Sequence, residues 1–126
     1  PVNVYRLGLH PDGLAPRVRN LGEYSDHLLT RLQRDAAVTG DPVLAALLDE
    51  VRGYPGLTQP GAVEADPAEL LFLPMAFTTV EGDELSLFST LATFGTAMDV
   101  TVAELSIEAF FPADAATRAT LQRISD

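Results

Sequence analysis

The sequence predicts one α+β domain: an antiparallel sheet with a helical hairpin before it and a C-terminal helix after it. Three observations predict this. Two segments in the first half repeat apolar residues at helical spacing and meet at a sharp break. Three strand-like runs follow in the second half. The chain has 126 residues, nearly half of them apolar, and folding at that length buries roughly two-thirds of the unfolded surface. The expected unit is a single domain over residues 1–126.

Residues 3–9 alternate, with Tyr5, Leu7 and Leu9 on one side and Val4, Arg6 and Gly8 on the other. Alternation predicts a short strand with one apolar face. His10-Pro11-Asp12-Gly13 marks a turn, since proline fixes φ and glycine permits positive φ. Asn20 followed by Glu23 predicts a capping-box helix start. Leu21, Tyr24, Leu28, Leu32 and Ala36 then recur along one helical face. At Thr39-Gly40-Asp41-Pro42, Gly40 suits the position after a helix, Asp41 an N-cap and Pro42 the first turn of the next helix. That second helix carries Leu44, Leu47, Leu48 and Val51, which completes an αα-hairpin.

Residues 54–69 contain Pro55, Gly56, Pro60, Gly61 and Pro67. Such a stretch is either a ligand lid or a plain connection. Strands are expected at 70–80 and 84–94, joined through Glu81-Gly82-Asp83, and at 101–111. Pro74 would cost a ladder bond in a central strand and belongs at an edge or a bulge. In the third strand Ala103, Leu105, Ile107, Ala109 and Phe111 are expected to face inward, with Glu104, Ser106 and Glu108 outward. The middle strand is apolar on both faces, so one face awaits the hairpin and the other the last helix or a second subunit. Asp114 can cap that helix, which carries Leu121 and Ile124.

Charge narrows the possible functions. There are 18 acidic residues against eight basic ones, all arginine, for a net charge of −10. Such a chain repels nucleic acid and anionic membranes, because duplex affinity depends on cations that displace phosphate counterions. Lacking lysine, it has no Schiff-base chemistry; lacking cysteine, it has no thiol nucleophile, disulfide or thiolate zinc site. This fits a cytoplasmic protein. No apolar run reaches the ~18 residues of a membrane span. The first residue is Pro1, and the chain is expected to be a piece of a longer protein.

Catalytic motifs are missing from the sequence. His10 and His27 lack metal-ligand spacing and read as surface residues. Ser86 and Ser89 have no histidine in register. No cofactor is implied. Arg17 and Arg19, on alternate positions of an extended stretch, either grip a carboxylate together or are ordinary surface charges. Tyr5, Leu28, Leu32, Met75, Phe77, Phe88 and Phe94 either line an apolar cavity between sheet and helices or pack as plain core. At ~0.8 kcal/mol per buried CH₂, a long alkyl tail gains enough to bind such a cavity without a charged anchor.

The order of motifs resembles the MmyB-like ligand-binding domain found behind a helix-turn-helix domain in bacterial regulators of the XRE type. The resemblance rests on NVYRLGLHPDGLAPRVRNLGEY at 3–24, HLLTRLQR at 27–34, TGDPVLAALLDEVRGYPG at 39–56 and GDELSLFSTLATFGTAMDVTVAELSIEAFFPADAAT at 82–117. It implies a PAS-like fold with a pocket for fatty-acid-like ligands, homodimerisation, and DNA binding through an N-terminal domain that this chain lacks. Two places depart from the family's pattern: Tyr24 stands where tryptophan is usual, and 75–79 lacks the usual arginines. The expected function is non-catalytic sensing of an apolar or fatty-acid-like molecule. The alternatives are a dimerisation module with no ligand and a small hydrolase or isomerase.

Overall fold

A computed structural model describes residues 2–58, 74–93 and 105–126. In chain order the elements are α1 (Val4–Leu9), a 3₁₀ turn (Ala15–Arg17), α2 (Leu21–Thr39), α3 (Pro42–Arg52), β1 (Met75–Thr78), β2 (Glu84–Thr93), β3 (Ser106–Pro112) and α4 (Ala115–Ser125). Four helices thus accompany a three-stranded antiparallel sheet of order β1-β2-β3 among the described residues, and the α+β expectation holds.

The first element is a correction. Residues 4–9 are helical: Asn3 is the N-cap, and its side-chain oxygen accepts from the amides of Tyr5 and Arg6 at 3.0 and 3.2 Å. Tyr5, Gly8 and Leu9 are the buried residues, at the i, i+3, i+4 spacing of a helical face. A six-residue apolar segment satisfies both periods, and the cap decides.

α2 and α3 form the expected hairpin. Gly40 stands in the left-handed region at φ 65° and returns its N–H to Ala36. The Asp41 carboxylate accepts from Val43 N at 2.8 Å, with Pro42 in the first turn. The buried stripe of α2 is Ser25, Asp26, Leu28, Leu29 and Leu32. With Tyr5 and Leu9 of α1 and Leu47, Leu48 and Val51 of α3 it makes one core cluster, flanked by Tyr24, Leu44, Tyr54 and Leu57. The core therefore sits among the helices and not chiefly between helices and sheet.

The capping box does not form: Asn20 sits at the N-cap of α2 but makes no capping bond. Its side chain pairs instead with the sheet edge, Nδ2 donating to Pro74 O at 2.7 Å and Oδ1 accepting from Ala76 N at 3.0 Å. Arg19 N donates to Ala76 O, and Val18 bridges Phe77. Residues 18–20 thus cover the free edge of β1, which blunts an otherwise exposed ladder. Pro74 precedes that edge strand, where its missing N–H does no harm. Asn20→Ala is expected to lower stability by about 1–3 kcal/mol, because the part-buried Ala76 amide loses its acceptor. Urea unfolding would measure it.

β1 and β2 pair from Met75↔Leu87 to Thr78↔Glu84, around a turn in which Gly82 has φ 93°. β2 and β3 pair from Leu87↔Pro112 to Thr93↔Ser106. Here the phase expected of β3 is reversed. Glu108 shares a face with Leu87 and Ser89 and looks toward α2, while Ile107 and Phe111, 53% and 42% exposed, lie on the other face. Alternation reveals that a strand has two faces, not which one is covered. α4 is capped by Asp114, whose carboxylate accepts from Thr117 N at 2.7 Å. The buried Thr117 hydroxyl accepts from Ser86 N at 2.9 Å and ties α4 to β2. Ile124 remains exposed.

Candidate functional site

The face of α2 turned to the sheet carries Tyr24, His27, Leu28 and Arg31, which follow the i, i+3, i+4, i+7 spacing of one helical stripe. Opposite stand Met75 of β1, Leu87 and Ser89 of β2, and Glu108 and Phe110 of β3; Val4 of α1 closes one side. These residues enclose a cleft of about 50 Å³. Its walls are mixed: apolar from Val4, Leu28, Met75, Leu87 and Phe110, polar from Tyr24, His27, Arg31, Ser89 and Glu108.

Gly8 sets one wall. A Cβ at that position would lie 2.8 Å from the Tyr24 hydroxyl and 3.5 Å from Leu28, so glycine lets the phenol lie against α1. Burial pushes the Tyr24 phenol up to about 12, with the Glu108 carboxylate adding to the shift. It therefore stays protonated, a donor at any physiological pH.

His27 is half-buried and not a surface residue as its sequence context implied. Loss of hydration lowers its pKa below the usual 6.5, and Arg31 lowers it further, against smaller opposing effects of Glu108 and Asp26. Because the folded value is depressed, the unfolded chain binds the proton more readily. The stability linked to His27 is then complete above pH ~6.5 and is lost as pH falls through the folded value. His27→Gln is expected to flatten this part of the melting-temperature profile between pH 7.5 and 5. A profile as steep as that of the parent chain would assign the dependence elsewhere.

Arg31 and Glu108 approach to 3.8 Å across the cleft with side chains 21% and 23% exposed. At that separation they form an ion pair without a hydrogen bond. The Ser89 hydroxyl donates to Glu108 Oε1 at 2.9 Å. Ser89 and His27 thus line one cleft despite having no register relation in the sequence. The serine proton is directed at the Glu108 carboxylate and not at His27.

The residues expected to touch a ligand divide into several groups. Leu28 and Met75 line the cleft. Tyr5 and Leu32 lie within the helical core, and Phe77 pairs with Val18 at the covered edge. Phe88 stacks on Phe111 at 5.4 Å on the far face of the sheet. Phe94 lies outside the described residues, as does most of the 54–69 stretch. Arg17 ends the 3₁₀ turn and is exposed, whereas Arg19 pairs with Glu84 at 2.8 Å. His27, Arg31 and Glu108 also line the cleft and were not among the expected contacts. Their signal was present, since His27 and Arg31 stand four residues apart on the stripe of Tyr24 and Leu28, but an apolar stripe invites one to overlook its polar members.

An open groove between α1 and α3 is lined by Asn3, Arg6, Val43, Ala46, Leu47 and Glu50, and its charges are already joined by a 2.6 Å Arg6–Glu50 bond. Among the described residues no acidic or histidine cluster could hold a metal, and no helix is long and apolar enough to cross a membrane. The family model described as the MmyB-like transcription regulator ligand binding domain matches residues 1–124. No curated protein and no solved structure matches the chain.

Proposed function

The chain belongs to the MmyB-like transcription regulator ligand binding domain family, and from that premise we propose that it senses a small apolar or fatty-acid-like molecule between α2 and the sheet, without catalysis. One observation carries the reading. Tyr24, His27 and Arg31 line one cleft, and their side chains make no hydrogen bond among the described residues. Donors gathered in a mixed cleft, their hydrogen-bond capacity left to solvent, suit the polar head of a small ligand whose apolar part meets the Leu28 and Met75 side.

The cleft of about 50 Å³ is small beside the ~300 Å³ or more of most ligand pockets. A head group fits it; an alkyl tail does not, unless the layers part. Their packing supports that step. The first three helices pack chiefly on one another and the sheet chiefly on itself and α4, while α2 meets the sheet only lightly. A tail entering between Leu28 and Leu87 would trade a thin interface for apolar contact. The PAS-like arrangement implied by the resemblance belongs to the same proposal, as does a cytoplasmic setting.

Sensing becomes regulation if occupancy changes how two protomers present DNA-binding domains. A ligand can do so only by binding one arrangement more tightly. The far face of the sheet, with Ile107 and Phe111 exposed, is a surface on which a homodimer can form. The same face favours the second reading, a dimerisation module with no ligand. Thermal melts with a series of fatty acids separate the two. Sensing predicts a melting temperature that rises with ligand concentration, by mass action on the folded state. A melting temperature unmoved by every acid, with sedimentation still showing a dimer, would favour the module.

A further inference from the structure

α2 is fastened to the sheet more firmly at one end than at the other. Where the helix begins, the Asn20 side chain bonds Pro74 O and Ala76 N, and Arg19 N donates to Ala76 O. Further along, the tie to β3 is the Arg31–Glu108 approach of 3.8 Å, beyond hydrogen-bond range. His27 lies between these two ends, partly buried in the cleft. Among the described residues, the charged groups that act on it are Arg31, Arg34 and Asp26 of its own helix and Glu108 of β3. α1, β1 and β2 face the cleft with Val4, Met75, Leu87 and Ser89, none of them charged.

We propose that protonation of His27 opens this cleft, with α2 swinging away from the sheet about its fastened end at residues 18–20. A neutral imidazole fits the closed cleft. An imidazolium there loses hydration and meets the Arg31 guanidinium one helical turn along. Those two influences, hydration first, hold the His27 pKa below its usual value; Arg34 adds to them, and Glu108 and Asp26 oppose. Opening returns the ring to water, so the open form binds the proton more readily and acid favours it. The change sets in as pH falls below ~6.5, the value of a hydrated histidine. Neither packed layer has to break, because the first three helices hold one another and the sheet holds itself and α4. The swing uncovers Leu28, Met75 and Leu87 on the two cleft walls. The movement stands on this hinge geometry; its use, acid-dependent admission of a ligand, rests on the cleft being the ligand site.

The chain contains no cysteine, so Thr30→Cys and Thr90→Cys, at exposed positions of α2 and β2, place one spin label on each layer. Double electron–electron resonance then measures the distance between them with no ligand added. The labelled chain is expected to shift to longer distances between about pH 7.5 and about pH 5. His27→Gln, which does not titrate, is expected to lose that shift. His27→Lys, which carries the charge throughout, is expected to show the longer distances already at about pH 7.5. Distances that do not change with pH in the parent, a shift that His27→Gln retains, or a closed His27→Lys would each overturn the hinge. So would a loss of helical circular dichroism in step with the distances, since that is unfolding. If His27→Gln does not fold, the parent and His27→Lys decide. Thermal melts with fatty acids test the ligand reading separately: a cleft that opens with acid while no fatty acid raises the melting temperature keeps the hinge and removes that reading.

Discussion

Leu32→Ala is expected to remove about 2–5 kcal/mol of stability, the usual range for truncating a fully enclosed leucine. Leu32 has no exposed surface and lies where α1, α2 and α3 meet, in one cluster with Tyr5, Leu9, Leu29, Leu48 and Val51. Two terms add: the apolar transfer of the lost carbons, and the cavity that three short helices cannot fully close. Set against the 5–15 kcal/mol typical of a domain, the loss takes a large part of the whole. In urea the midpoint should fall while the slope stays the same. An unchanged midpoint would contradict a core centred on α2.

Gly13→Ala is expected to cost about 1–3 kcal/mol or more by overpacking. An added Cβ would collide with the Leu7 carbonyl oxygen and lie 3.3 Å from that of His10. The obstacle is backbone held in place from both sides, since Leu14 N donates to Leu7 O at 2.7 Å and Gly13 N to His10 O at 2.8 Å. Nothing flexible can give way. Gly40 provides the contrast: its φ of 65° is left-handed, but a Cβ there would meet nothing within 4 Å, so Gly40→Ala carries conformational strain alone, about 1 kcal/mol. Thermal melts of the two variants should rank Gly13→Ala as the more damaging. The reverse order would mean that the turn after α1 yields easily.

Gly13 also shows what the sequence makes legible. The turn at His10–Gly13 was readable from composition; the reason for its glycine was not, because close approach to Leu7 O depends on where α1 ends. The hairpin was clear because Gly40, Asp41 and Pro42 each satisfy a separate local requirement at adjacent positions. α1 was misread because six residues carry too little periodicity to separate a helix from a strand, and Asn3 as a cap settled it. Asn20 was read as a local cap, but its bonds run to Pro74 and Ala76, a partner no nearby pattern reveals.

The candidate site followed the same rule. Leu28 and Met75 could be placed near a cleft because both belong to apolar runs. Arg31 and Glu108 could not be paired, since their relation depends on the phase of β3, and Ile107 and Phe111 misled by being apolar and outward. The family resemblance, carried by blocks spread along the chain, reached the ligand-binding class where periodicity alone favoured plain core over a cavity.

The central claim is that a ligand enters between α2 and the sheet. Its most direct test is an amide NMR titration of the chain with decanoate. The account predicts saturable shifts that begin at Tyr24, His27, Arg31, Ser89 and Glu108 and leave Val43 and Ala46 of the outer groove unmoved. Saturable shifts confined to that groove, or none at any concentration below micelle formation, would contradict it.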